Sequence, residues 1–304
     1  MKFLNFQQGG KIKCGILIES DQILELKNIF QFLGKDPSLV ESDVKFFYNY
    51  YAIKDLIGEF VENANFKGIK SMRLSEVKLL SPVLHPSKIV CLGMNYKDHA
   101  LETGQKLPKL PLLFTKASTA VIGMDEAIII PKVRKTIAGS AEQIAVLDYE
   151  VELAVIIGKI CKGVSIENAP NYILGYTILN DVSARMEQMS DKQYFRSKSF
   201  DTFAPLGPWI VTSDSIGDPM NLHLECSVNG ELRQDSNTKN MNFNVYEIVS
   251  FISEAITLLP GDIIGTGTPA GVGAGRKPPL SLKAGDMLEM SIENIGSLRN
   301  SVQN

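Results

Sequence analysis

Apolar positions along this chain recur mostly with the period of two that marks β-strands. Residues 221–228 place Leu222, Leu224, Cys226 and Val228 on one face and Asn221, His223, Glu225 and Ser227 on the other, the signature of a half-buried strand. Asn229-Gly230 follows, and because both residues tolerate positive φ, a type I′ hairpin turn is predicted there. Residues 286–293 alternate as well, with Leu288, Met290 and Ile292 inward. Shorter strand-like pieces lie at 13–18 and 23–26, and a longer one at 172–179. Two segments carry helical periodicity instead. Ile53, Leu56, Ile57, Phe60, Val61 and Ala64 form an i, i+3, i+4, i+7 stripe. The second helix opens at Asn244 with Glu247 three residues later in a capping-box arrangement. Its expected stripe is Ile248, Ile252, Ala255, Ile256 and Leu259, with Pro260-Gly261 as the stop.

Many strands and few helices predict an α+β fold that is mainly β and mainly antiparallel, not a doubly wound α/β sheet. The helical stripe and short strands of the first part form a small N-terminal α+β subdomain over 1–78. Residues 79–304 form the main domain. No periodic repeat or low-complexity tract interrupts either part.

Composition narrows the function classes. The 304 residues are 44% hydrophobic and 21% charged, ordinary for a globular enzyme. A net charge of −3 with scattered basic residues gives no footprint for nucleic acid or an anionic membrane. The apolar stretches are too short to span a bilayer, and the first residues lack the apolar core of a signal peptide. Cys14, Cys91, Cys161 and Cys226 are far apart in sequence, which suits free thiols in a reducing cytoplasm, not zinc or disulfides.

The candidate chemistry is acidic. Asp148-Tyr149-Glu150-Val151-Glu152 heads the apolar run Leu153-Ala154-Val155-Ile156-Ile157, so Glu150 and Glu152 share one face of a strand. An isolated Glu-x-Glu reads as a solvated strand face. Asp181, at the end of the strand-like run 172–179, adds a third carboxylate, the donor number that suits Mg²⁺ or Mn²⁺, with Ca²⁺ also compatible. Of the three histidines, His99 stands out because Glu102 lies three residues on, beside it if the segment is helical. That pair has the makings of a water-activating base. Lys198 sits among small neighbours, where an ammonium can meet developing oxyanion charge. The glycine run Gly265-Thr266-Gly267-Thr268-Pro269-Ala270-Gly271 fits a loose dinucleotide pattern, but Pro269 and the missing βαβ unit exclude it. A compact loop presenting Thr268 to a small polar ligand is expected instead.

Five motifs in this order resemble the fumarylacetoacetate hydrolase family: Gly93-x-Asn95-Tyr96-x-Asp98-His99, residues 148–154, residues 180–185, Lys198-Ser199-Phe200-Asp201-Thr202, and the run from Gly265 to Gly273. Asn229-Gly230, Ser236-Asn237-Thr238 and Arg276-Lys277-Pro278-Pro279 make the chain most similar to that family's domain-containing type 2 members. The resemblance implies a mixed β-roll or barrel, a homodimer, and a small-molecule 2-oxo or 2,4-dioxo acid as substrate. It implies Glu150, Glu152 and Asp181 as metal ligands, His99 with Glu102 as the water-activating pair on a lid, and Lys198 with Gln188 as oxyanion donors. Tyr96, Arg185 and Thr268 would bind substrate. The implied reaction is hydrolytic cleavage of a C–C bond in an acylpyruvate-like 2,4-dioxo acid to pyruvate and a carboxylic acid. The alternative is decarboxylation or keto–enol tautomerisation of oxaloacetate at the same centre; a third reading is a metal-stabilised binding module without catalysis. Three departures from the family pattern are Met186 in place of an aspartate, a longer stretch over 134–146, and no recognisable fourth acidic ligand upstream of His99. The last argues against fumarylacetoacetate itself as substrate.

Overall fold

A computed structural model of the chain describes all residues except Ser20, Ala64, Asn65, Lys67 and 135–141; the side chains at 134 and 142–144 also lie outside the description. The apolar run after the acidic head becomes the strand Val151–Ile157, in which every residue is buried. Burial on both faces places this strand inside the molecule, and explains why its sequence runs apolar instead of alternating.

It lies within a twelve-stranded sheet. The path runs from Ser71–Arg73 through Gln22–Glu25, Lys11–Ile18, Lys2–Gln8, Ala204–Thr212, Ile173–Asn180, Val151–Ile157, Ile263–Gly265 and Ile89–Gly93 to Leu112–Lys116. The neighbours along it are antiparallel except Ile263–Gly265 with Ile89–Gly93. The path has two ends, so among the described residues the expected roll is an open sheet and no barrel closes. A second, five-stranded sheet holds the two alternating segments, now Glu231–Asn237, His223–Val228, Met287–Ile292, Gly296–Gln303 and Ile128–Ile129. Its hairpin turns at Asn229 and Gly230 with φ of 54° and 78°, as type I′ geometry requires.

The first helix is longer than its stripe implied, running from Asp43–Glu62 with Ser42 as N-cap. Ile53, Ile57 and Phe60 are buried, Leu56 and Val61 half-buried, and Ala64 lies outside the described residues. Phe46, Phe47 and Tyr50 extend its apolar face into the core that also holds Val155 and Ile156. The second helix, Val245–Ala255, has the expected box: the Asn244 side chain accepts from the Tyr246 and Glu247 amides, and Glu247 accepts from the Asn244 amide. It ends earlier than expected. Ile256 turns extended and Leu258 exchanges two 2.9 Å backbone bonds with Cys161, leaving Ala255 and Ile256 exposed and Leu259 half-buried. No described helix is long and apolar enough to cross a membrane.

Candidate active site

Antiparallel pairing of Val151 with Asn180 brings the acidic head beside the rim of Ile173–Asn180. The Asp181 amide donates to the Glu150 carbonyl at 2.9 Å, and the Glu150 amide to Asn180 Oδ1 at 3.1 Å. The acids are not on a solvated face: Glu150 is 6% exposed and Glu152 and Asp181 are 0% exposed.

Cations meet two of the three. Lys198, at the end of the short helix Tyr194–Lys198, donates from Nζ to Glu150 Oε2 and Asp181 Oδ2, both at 2.7 Å. Lys116, the last residue of Leu112–Lys116, lies 2.6 Å from Asp181 Oδ1 and is also buried. Arg185 reaches Glu150 Oε1 at 2.7 Å and Asp148 Oδ2 at 2.9 Å, and donates to Gln188 Oε1 at 2.9 Å. Burial alone would raise the Glu150 carboxyl, but the charges of Lys198 and Arg185 outweigh it and hold Glu150 below the usual carboxylate range.

Glu152 is different. Neither of its oxygens has a hydrogen-bond partner. Burial first, then the Asp181 and Glu150 charges, push its pKa well above the ordinary value. Cys91, Glu152 and Asp181 offer ligand atoms all within 4.8 Å of one another. Burial keeps the Cys91 thiol protonated, so the hard donors there are carboxylate oxygens. Four buried acids (Asp148, Glu150, Glu152, Asp181) face three cations (Lys116, Lys198, Arg185). A buried carboxyl without a side-chain partner, kept protonated by burial and by its acidic neighbours, fits a divalent, oxygen-preferring cation that would displace the proton. Glu152 and Asp181 would hold it, with Glu150 one ammonium away.

Beside this centre lies a cavity of about 650 Å³ whose wall includes His99, Glu150, Arg185, Gln188, Lys198 and Thr268. Thr268 is held in place: its hydroxyl donates to the Val151 carbonyl at 3.0 Å and accepts from Gln234 Nε2 at 2.8 Å. Tyr96 is fully buried with an unpartnered hydroxyl and does not line the cavity. His99 and Glu102 share the short helix Lys97–Thr103, as the spacing predicted. Their Nδ1 and Oε2 are 3.5 Å apart, but the Nδ1 makes no hydrogen bond. Both Glu102 oxygens accept instead from the Gly271 amide at 3.1 Å, docking the helix on the glycine-rich loop. Gly271 has φ of +101°, and any Cβ there would collide with the Arg233 carbonyl.

Lys116 and Asp148 are absent from the sequence-derived set. Asp148 ties the site together, accepting from the Gly273 and Ala274 amides at 2.7 and 2.9 Å besides Arg185. Its place in the acidic head was a signal for it. A lysine closing an apolar strand carries no such signal. Of the long stretch over 134–146, residues 135–141 lie outside the described residues; around them Lys132–Arg134 pairs with Glu142–Ile144 as a small ladder.

The fumarylacetoacetate hydrolase C-terminal family model matches residues 88–303. Mitochondrial oxaloacetate tautomerase FAHD2B of Bos taurus is 47% identical over 230 residues, covering 75% of this chain and 70% of that protein. An uncharacterized protein of Methanocaldococcus jannaschii is 45% identical over 274 residues, 90% of this chain and 97% of that one. Among solved structures, the maleylpyruvate hydrolase from Sphingobium sp. SYK-6 in complex with manganese(II) and pyruvate superposes with a TM-score of 0.77 at 29% identity, covering 100% of this chain and 99% of that one.

Proposed function

Because the chain belongs to the fumarylacetoacetate hydrolase family, we propose that it is a divalent-metal-dependent keto–enol tautomerase of oxaloacetate-like 2-oxo acids. The observation that carries this reading is the buried Glu152 carboxylate, which no side chain pairs, beside Asp181; Lys198, which bonds Asp181, lines the neighbouring cavity together with His99 and Glu150. The similarity to oxaloacetate tautomerases supports the choice of reaction.

Glu152 and Asp181, with Glu150 adjoining, would hold Mg²⁺ or Mn²⁺, and the ion supplies Lewis-acid polarisation of the substrate's carboxylate and 2-oxo oxygens. The chain's own groups do the rest. Lys198 meets the negative charge that develops on the 2-oxo oxygen as the C3 proton leaves. His99 takes that proton at a ring nitrogen, and its return to the oxygen gives the enol. Gln188 orients the acid from the cavity wall through its amide NH₂, Thr268 shapes that wall with its hydroxyl held by Val151 and Gln234, and Arg185 fixes Gln188 and Glu150.

A second reading is hydrolysis of a C–C bond in a 2,4-dioxo acid, the first expectation from sequence. The His99–Glu102 separation of 3.5 Å and the likeness to maleylpyruvate hydrolase favour it, because tightening of that pair would charge a water for attack. Tautomerisation needs no such water, and the engagement of Glu102 by Gly271 leaves it ahead. The buried free cysteines support a cytoplasmic setting, and the exposed Leu101, Leu107, Leu110 and Leu112 a homodimer.

The deciding experiment follows the ultraviolet band of enol-oxaloacetate in a non-catalytic buffer, alongside pyruvate release from an acylpyruvate. Expected are Mg²⁺-dependent loss of the enol band, its arrest by chelator, and a fall of about 100-fold in His99→Ala. Pyruvate release without tautomerisation would install the hydrolase, and silence in both assays with every divalent ion would overturn both readings.

A further inference from the structure

The segment Arg276-Lys277-Pro278-Pro279 stands out in the sequence, yet no step of the proposed reaction uses it. Arg276 closes the glycine-rich loop, directly after the short 3₁₀ turn Gly273–Gly275. Its Nη2 donates at 2.7 Å to the carbonyl of Arg233, in the edge strand Glu231–Asn237. Its charge also faces the Tyr149 hydroxyl, which donates to the Gly271 carbonyl at 3.0 Å. Gly271 leans on the Arg233 carbonyl so closely that a Cβ would come within 2.1 Å of it. Arg233 and Tyr149 thus flank Gly271, and Arg276 ties both to the far end of the loop.

The loop held in this way presents its amides to two carboxylates. Gly273 and Ala274 donate inward to Asp148 of the acidic head. The Gly271 amide meets both Glu102 oxygens at 3.1 Å. Gly275 adjoins the same carboxylate: a Cβ there would lie 2.6 Å from Glu102 Cδ. Glu102 therefore rests in a seat of two glycines. The helix that carries it, Lys97–Thr103, also carries His99 and is too short to hold itself. The Nδ1 of His99 makes no hydrogen bond, which leaves the helix to place the ring.

We infer that Arg276 is a positioning residue for His99: it fixes Gly271 and Gly275 as the seat for Glu102, and Glu102 fixes the helix that carries His99. The inference rests on the proposed function for the proton transfer at His99; the placement of the helix stands apart from it.

The test compares Arg276→Met, Arg276→Lys, Glu102→Ala and the double variant Glu102→Ala/Arg276→Met in the whole Mn²⁺-loaded protein. The readouts are kcat and KM for enol-oxaloacetate, Mn²⁺ affinity, and amide exchange across 97–103. Arg276→Met should lower kcat about tenfold, as misplacing a reacting group does, with KM and Mn²⁺ affinity within about twofold. It should also speed amide exchange across 97–103 by about tenfold. Arg276→Lys, whose ammonium still reaches a carbonyl, should recover most of that protection. With Glu102 gone the seat has nothing to hold, so in the Glu102→Ala background Arg276→Met should change kcat and exchange by less than about twofold. An equal loss of kcat in both backgrounds, or exchange across 97–103 that Arg276→Met leaves unchanged, overturns the inference. So does Mn²⁺ affinity that falls in step with kcat, because Arg276 would then act on the metal centre through Asp148. Absence of tautomerisation by the unsubstituted protein overturns the proposed function alone, and the exchange measurements in the two backgrounds still decide the seat.

Discussion

Glu152 is a buried acid with no side-chain partner and only the Gly267 amide near it, and its protonation decides the behaviour of the metal-free protein. Inside the fold the carboxyl keeps its proton well above the ordinary 4.5; in the unfolded chain it gives it up near that value. Above pH 4.5 the native state therefore binds more protons than the unfolded one. The stability of the metal-free protein falls with rising pH until the folded carboxyl itself ionises. Glu152→Gln removes this slope, so the variant's metal-free stability relative to wild type rises by about 1.4 kcal/mol per pH unit above 4.5 for as long as the folded carboxyl stays protonated, as urea denaturation at several pH values would show. The same substitution should weaken Mn²⁺ binding by at least about 100-fold, followed by electron paramagnetic resonance of free Mn²⁺. Tight Mn²⁺ binding by the variant would remove Glu152 from the metal centre. Glu150, Glu152 and Asp181 were legible because acids at the ends of apolar strands demand a reason. Lys116 was not, because its meaning comes only from Asp181, sixty-five positions away.

The local elements were legible where local chemistry sets them. The Asn229-Gly230 hairpin and the Asn244 cap both form as the residues require. The early end of Val245–Ala255 was not, since the distant partner Cys161 draws Leu258 out of helical register. The order of strands in the large sheet is non-local in the same way. The helix Lys97–Thr103 shows what such contacts do for the site. Its seven residues are too few to be stable alone. It is held by Glu102 on the Gly271 amide, by Asp98 accepting from Ser236 at 2.5 Å, and by Asn95 just before it, which donates to the Thr266 and Phe243 carbonyls. Gly271→Ala should therefore act on His99 through the helix. The added Cβ meets the Arg233 carbonyl at a φ of +101°, a strain of about 1–3 kcal/mol that the loop relieves by moving away from Glu102. Expected are a lower melting temperature, faster amide exchange across 97–103, and a fall in kcat larger than any change in Mn²⁺ affinity. Unchanged exchange in that helix would show that Glu102 does not dock it.

At the scale of the whole molecule, the short strands and helical stripe predict a small N-terminal subdomain over 1–78, and the large sheet joins strands of those residues to strands of the remainder. Lys2–Gln8 lies between Lys11–Ile18 and Ala204–Thr212, so removing it would leave Ala204–Thr212 with an unpaired edge beside the site-bearing strands. The single tryptophan of the chain, Trp209, stands at this junction. Its indole donates to the Ile295 carbonyl at 2.7 Å, Lys2 lies 5.0 Å over its ring, and it packs against both hydrophobic clusters. Its fluorescence therefore reports on the seam between residues 1–78 and the remainder. If the shared sheet makes the two parts one cooperative unit, urea unfolding followed by Trp209 emission and by far-ultraviolet circular dichroism should give coincident transitions with one midpoint. Mn²⁺ at 100 times its dissociation constant should then raise both midpoints together, through a stabilisation of about 2.7 kcal/mol. A Trp209 transition that precedes the circular dichroism and ignores Mn²⁺ would show that the N-terminal part opens alone, with the carboxylate centre still folded behind it.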